Sequence, residues 1–389
     1  MMLPSLFEMC AQLVAEPSVS CASPTLDQGN LRVVNQLAQW LSDLHFDVSV
    51  VPIPDTVDKA NLIATIGPSD AGDGLMLAGH TDTVPFDADL WQQDPFVLQA
   101  HDDRWVGLGI CDMKAFFPLA IAALAPLLDS RKLKQGLAAP ITFLATADEE
   151  STMSGARHLA AGGAPKARFA LIGEPTDLRP VYAHKGMMML SIKLAGQSGH
   201  SSNPELGVNA LDAMHAVMAE LMRLRSELAQ QFRHPGFAVQ APTMNFGCLH
   251  AGDSPNRICG RAELQIDIRL LPGMDVEAIA NALSRRIAPV AEQHRVSCLI
   301  SDLFPPMPAF ATAQNSPFVR TCERLSGQAA GTVAFGTEGP YLQALGIETL
   351  ILGPGHIDQA HQPDEFLRLD RVAPTVDILR NLVLACGTL

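Results

Sequence analysis

Positive charge is scarce in this chain: 27 Lys plus Arg stand against 41 Asp plus Glu, for a net charge of -14. A nucleic-acid or anionic-membrane surface needs a basic patch, so both are excluded and a small-molecule or protein partner is expected. Paired cysteines are missing too. Cys10, Cys21, Cys111, Cys248, Cys259, Cys298, Cys322 and Cys386 form no CxxC and keep no regular spacing, which excludes a disulfide framework and predicts free thiols in a reducing compartment. No apolar run approaches the ~18 residues of a membrane span. The first residues carry no Lys or Arg before Arg32, and Glu8 interrupts their apolar stretch, unlike a secretory signal. The expectation is a soluble, cytoplasmic protein.

What is present is ample material for a core. Of 389 residues, 48% are hydrophobic and 17% charged, enough for two domains of ordinary size. Leu6, Met9 and Leu13, then Val34, Leu37, Leu41 and Leu44, recur at helical spacing. Apolar runs at 46–51, 61–66, 75–79, 141–145, 169–172 and 349–352 predict buried strands. Helical stretches such as 115–128 alternate with them. An α/β sheet covered by helices on both faces follows.

The middle of the chain has a different texture. Ile192 and Leu194, and then Ala262, Leu264, Ile266 and Ile268, alternate with polar residues, as in antiparallel strands with one wet face. Leu211, Met214, Met218 and Leu221 make one helical stripe, and Ile279, Leu283 and Ile287 make another behind the cap Asp275. The order strand, helix, strand, strand, helix, strand matches the split βαβ pattern of ferredoxin-like folds. An inserted α+β domain is expected at 184–304, within a catalytic domain of 1–183 and 305–389.

Polar chemistry gathers where apolar runs end. His80-Thr-Asp82 closes one strand, where ligands of open α/β sheets bind; alone, His80 could cap the strand and Asp82 form a turn. Asp112 sits in a Gly-punctuated turn feeding a helix. It could cap that helix, or its two oxygens could bridge two metals. Asp148-Glu149-Glu150 puts three acids at the end of a core strand, costly unless cations offset them. Adjacent side chains diverge, so one of Glu149 and Glu150 can bind metal while the other acts on water. Glu174 repeats the pattern before Pro175. A further ligand should come from His356 or His361, which spacing does not separate. Mixed His and carboxylate ligation suits Zn2+ and admits Co2+ or Mn2+. Ser198-Gly-His200-Ser-Ser, by itself, is a polar turn.

Taken together, Leu77-Ala-Gly-His-Thr-Asp-Thr-Val-Pro85, Ala145-Thr-Ala-Asp-Glu-Glu150, Gly196-Gln-Ser-Gly-His-Ser-Ser202, Asp267-Ile-Arg269, Gly353-Pro-Gly355 and Gln359-Ala-His-Gln-Pro-Asp-Glu365 resemble the metal-dependent amidohydrolases and peptidases of the M20 family. The resemblance implies two divalent metal ions. One would be held by His80, Asp112 and Glu174, the other by Asp112, Glu150 and His361. Asp82 would orient His80, Glu149 would be the general base, and a cis peptide would follow Asp112. The inserted domain would act as a lid and form a homodimer, and His200 would reach a partner's oxyanion. Asn256 and Arg269 would grip a substrate carboxylate. The implied substrate is a small N-acyl amino acid, N2-acetyl-L-ornithine, with a desuccinylase or dipeptidase as the family alternative. Charge alone suggests that Glu338 meets the substrate's side-chain ammonium. A non-catalytic scaffold would keep the fold but has no use for Glu149.

Overall fold

The computed structural model of the chain describes residues 3–68, 74–129, 137–162 and 166–387. It resolves into two compact units. The first comprises Met1–Tyr182, Thr312–Gly331 and Thr337–Leu389; the second comprises Ala183–Ala311 and Thr332–Gly336.

In the first unit Ile141–Thr146, Leu75–His80, Phe169–Ile172 and Glu348–Ile351 lie side by side and parallel. Every residue of the first two is buried, because a central strand is covered on both faces and is built mostly of apolar residues. Ala60–Ile66 pairs antiparallel to Ile141–Thr146, and Asp47–Pro52 closes that edge. Asp47–Pro52 departs from the expected buried strand: its residues are exposed or half-buried, since it pairs on one side only.

Helix Phe116–Asp129 packs on Val372–Gly387, and both touch Leu75–His80, while Leu31–Asp43 packs on Asp47–Pro52 and Ala60–Ile66. The segment Ile110–Leu128 is long and apolar enough to cross a membrane, yet 78% of it is buried inside the protein, as befits a core helix. Parallel pairing sets His80 opposite Thr146 and Ala78 opposite Ile172. The turns leaving these strands therefore emerge at one end of the sheet, two to four residues before the acids at 148–150 and at 174.

The second unit contains a four-stranded antiparallel sheet in the order Thr243–Ala251, Arg261–Leu270, Gly186–Ala195, Ser297–Asp302. Ala262, Leu264, Ile266, Ile268 and Leu270 are buried on the central strand while the residues between them are half-buried. Helices Ala210–Gln231 and Val276–Gln293 pack on each other and on strands of this sheet. Each starts at a side-chain cap: Asn209 accepts from the N–H groups of Leu211 and Asp212, and Asp275 from that of Ala278. The order of elements and strands is ferredoxin-like.

Candidate metal centre

His80 has no exposed surface. Its Nδ1 lies 3.0 Å from the carbonyl oxygen of Asp82 and 3.7 Å from Oδ1 of the same residue. A carbonyl oxygen only accepts, so Nδ1 carries a proton and Nε2 faces the other way. There it meets two carboxylates, Asp112 Oδ1 at 3.1 Å and Glu174 Oε1 at 3.8 Å. Burial works against a charged ring, but the hydrogen bond to Asp112 and the charges of Glu174 and Asp82 outweigh it and hold the imidazole well above its ordinary value.

Asp112 faces both histidines. Its second oxygen lies 3.5 Å from His361 Nε2, and the same nitrogen is 3.0 Å from Glu150 Oε1. Burial would raise the Asp112 carboxyl, yet hydrogen bonds from His361 and His80 hold it below the usual carboxylate range. Hydrogen bonds to Asp112 and Glu150 push the His361 ring up to about 10. The Asp112-Met113 peptide is cis, and His361 sits in the left-handed region at φ 60°.

The remaining acids have distinct settings. Glu174 is buried, and its Oε1 has no hydrogen-bond partner. Gly173 before it must lack a side chain, because a Cβ there would come within 2.1 Å of the Phe116 ring. Glu149 stands with His80 and Glu174; burial raises its carboxyl well above the ordinary value, opposed by His80 and reinforced by Glu150. The Asp82 carboxylate accepts from the backbone N–H groups of Glu149 and Glu150, at 3.2 and 3.1 Å. Glu338 has no exposed surface, and its Oε2 accepts from Thr146 Oγ1 at 2.9 Å.

One ligand atom each from His80, Glu149 and Glu174, and likewise from His80, Asp112 and Glu150, can be chosen to lie within 4.8 Å of one another. Once a cation displaces the ring protons, imidazole nitrogens and carboxylate oxygens at this density are a donor set for divalent ions. A buried, unpartnered Glu174 oxygen is also what a missing cation would leave. The residues present therefore fit a metal centre.

His200, Asn256 and Arg269 belong to the second unit. His200 is exposed and its Nδ1 is 2.7 Å from Ser202 Oγ. The neighbouring loop is tied to it, with Ser201 N–H donating to the Asn256 carbonyl at 3.1 Å. Arg269 Nε donates to Asp267 Oδ2 at 3.0 Å.

Residues 76–385 match the description Peptidase family M20/M25/M40. The chain belongs to that family. Its relatives include the acetylornithine deacetylase of Yersinia pseudotuberculosis, 44% identical over 386 residues with 98% of each chain covered. That of Edwardsiella ictaluri is 45% identical over 381 residues, covering 98% of this chain and 97% of the relative. Among solved structures, an M20 family metallo-carboxypeptidase from Sulfolobus solfataricus covers 100% of both chains with a TM-score of 0.75 and 18% identity. A dinuclear metal-binding M20 peptidase from Bacillus subtilis covers 99% of this chain and 98% of its own, with a TM-score of 0.67 and 15% identity. These two likenesses establish the M20 fold.

Three residues of this M20 chain acquire roles that sequence reasoning missed. The Glu365 carboxylate accepts from the backbone N–H groups of Gly109, Cys111 and Asp112, at 2.8, 2.7 and 3.0 Å. It thus fastens the turn that carries Asp112 to the segment that carries His361. Lys114 is buried and donates to the Glu16 carbonyl at 2.8 Å; burial pulls its ammonium down to about 8. Lys59 Nζ reaches Asp148 Oδ1 at 2.6 Å. Only for Lys59 did the sequence hold a signal: three consecutive acids at a strand end call for a cation.

Proposed function

We propose that the protein hydrolyses the acetyl amide of N2-acetyl-L-ornithine to L-ornithine and acetate, a step of arginine biosynthesis in the cytoplasm. Carrying this reading is 44–45% identity, over nearly the whole chain, to acetylornithine deacetylases. His80, Asp112 and Glu174 would hold one divalent ion and Asp112, Glu150 and His361 a second, with Zn2+ preferred and Co2+ or Mn2+ accepted. Bound there, such ions supply positive charge that acidifies water and polarises an acyl carbonyl.

The protein's own groups do the rest. Glu149 takes a proton from the attacking water and returns it to the departing amine, a task suited to a carboxyl that burial makes more basic. Asp82 holds the turn of Glu149 and Glu150 through two backbone N–H groups. His200, supplied by the partner in a homodimer, donates a hydrogen bond to the oxyanion. Asn256 and Arg269 take the substrate carboxylate, which an Arg fork suits.

The test is a substrate panel on metal-reconstituted protein. Acetylornithine turnover is expected, with Glu149→Gln keeping its metal but losing about 10²–10⁴-fold in kcat. Turnover of N-succinyl-diaminopimelate or dipeptides without acetylornithine would overturn the substrate. An unimpaired Glu149→Gln would overturn the base.

A further inference from the structure

Asp148 leads the acidic triplet, yet its side chain is turned away from the two glutamates' task. At φ 58° its backbone is left-handed, and its carboxylate is buried and fully engaged. Oδ1 takes Lys59 Nζ at 2.6 Å and Ser20 Oγ at 3.1 Å, and Oδ2 takes Ser154 Oγ at 2.7 Å. Its carbonyl accepts from the N–H groups of Thr152 and Met153, at 3.1 and 2.7 Å, which closes the turn containing Glu149 and Glu150.

Lys59 is the charge on which this arrangement depends. It is buried, it binds Asp27 Oδ2 at 2.7 Å as well as Asp148, and it stands immediately before strand Ala60–Ile66. From Leu62 to Ile66 that strand pairs with Ile141–Ala145, part of the strand from which the acidic turn emerges. The two ends are also clamped through Asn61, whose Oδ1 accepts from Ala147 N–H at 3.1 Å and whose Nδ2 donates to the Gly155 carbonyl at 2.9 Å. A Cβ at Gly155 would lie 2.4 Å from that Oδ1, so the loop's far end is packed tightly against the same strand.

We propose that Lys59 is a positioning residue for Glu149 and Glu150: by neutralising Asp148 in its buried place, it holds the turn that aims both glutamates. Without Lys59, Asp148 is an uncompensated buried charge beside two more carboxylates. A buried charge that loses its partner is relieved by moving to water, and Asp148 can reach water only by carrying the turn with it. Displacement of a catalytic group by about 1 Å costs on the order of 100-fold in rate.

The inference rests on the proposed roles of Glu149 and Glu150, so its test has one arm that needs neither substrate nor metal. In metal-free Lys59→Met, hydrogen exchange of the amides at 147–152 should accelerate about tenfold or more, while those of Leu75–His80 keep their parent rates. In the metal-loaded enzyme, kcat should fall about 10–100-fold with KM within about threefold. The effect should largely vanish when the same substitution is made in Asp148→Asn, because Lys59 acts through Asp148. If Lys59→Met folds only when Asp148→Asn is also present, that is the same coupling. Parent-like exchange at 147–152, equal acceleration in Leu75–His80, equal effects in both backgrounds, or failure of both variants to fold would each overturn the proposal. Absent acetylornithine turnover with the expected exchange pattern would instead count against the substrate alone.

Discussion

Glu365 makes a quantitative prediction possible. Its side chain is 2% exposed and accepts three backbone N–H groups, one on Oε2 and two on Oε1. Burial pushes the carboxyl up to about 8 against these donors; with three donors converging on two oxygens, the geometry is that of a carboxylate. Glu365→Gln keeps one acceptor oxygen and turns an NH2 toward an N–H. At least one hydrogen bond to a charged acceptor is lost, worth about 1.5–3 kcal/mol, and one buried N–H is orphaned at about 1–3 kcal/mol. Part of this is offset because a neutral amide is cheaper to bury, so the net expectation is about 2–4 kcal/mol of destabilisation. Urea unfolding of the metal-free protein at pH 9, above that value of about 8, measures it. Tryptophan fluorescence is the right probe, since Trp40, Trp91 and Trp105 all lie in the first unit. A change below about 0.5 kcal/mol with an unaltered urea slope would refute the claim that this carboxylate holds the Asp112 turn.

Burial pushes Glu338 up to about 7 and Asp82 up to about 6, from ordinary values of 4.5 and 3.8. Between the unfolded and folded values the folded state binds more protons, so the metal-free protein should lose thermal stability as pH rises from about 4 to about 7; a melting temperature that rises across that window contradicts the assigned burial. Adding Zn2+ at pH 7 should raise the melting temperature, by the equivalent of about 2.7 kcal/mol at 100 times Kd, and a chelator should reverse it; calorimetry showing no shift would remove the metal centre. His200→Asn should lower kcat about 10²–10³-fold while leaving metal content unchanged, and parent-like kcat would withdraw the oxyanion role.

Strand ends were the most legible part of the sequence. Leu75–His80, Ile141–Thr146 and Phe169–Ile172 are largely apolar because central strands are covered on both faces, so the acids just beyond them stand out. The inserted unit was legible for the complementary reason, its strand Arg261–Leu270 alternating in burial. Less could be had where contacts are long-range. No spacing separates His356 from His361; in three dimensions His361 lies between Asp112 and Glu150. Glu365 looks like an ordinary charge in sequence, and the acids at 148–150 call for a cation without singling out Lys59; only the turns these two residues approach give them a task. Asp47–Pro52 looked buried because its valines resemble those of a central strand, and sequence does not say which strand lies at an edge.

His80 and His361 are joined through the two oxygens of one aspartate although they come from opposite ends of the chain. A chain emerging from the ribosome carries His80, Asp112, Glu150 and Glu174 long before it has His361 or the Glu365 that fastens the Asp112 turn. Through most of synthesis, the acids are present without the second imidazole. Under the proposed ligand set, in which His361 completes the second cation's shell, loading of that site waits for near-completion of translation, and a product truncated before residue 361 lacks this ligand however well its sheet has folded.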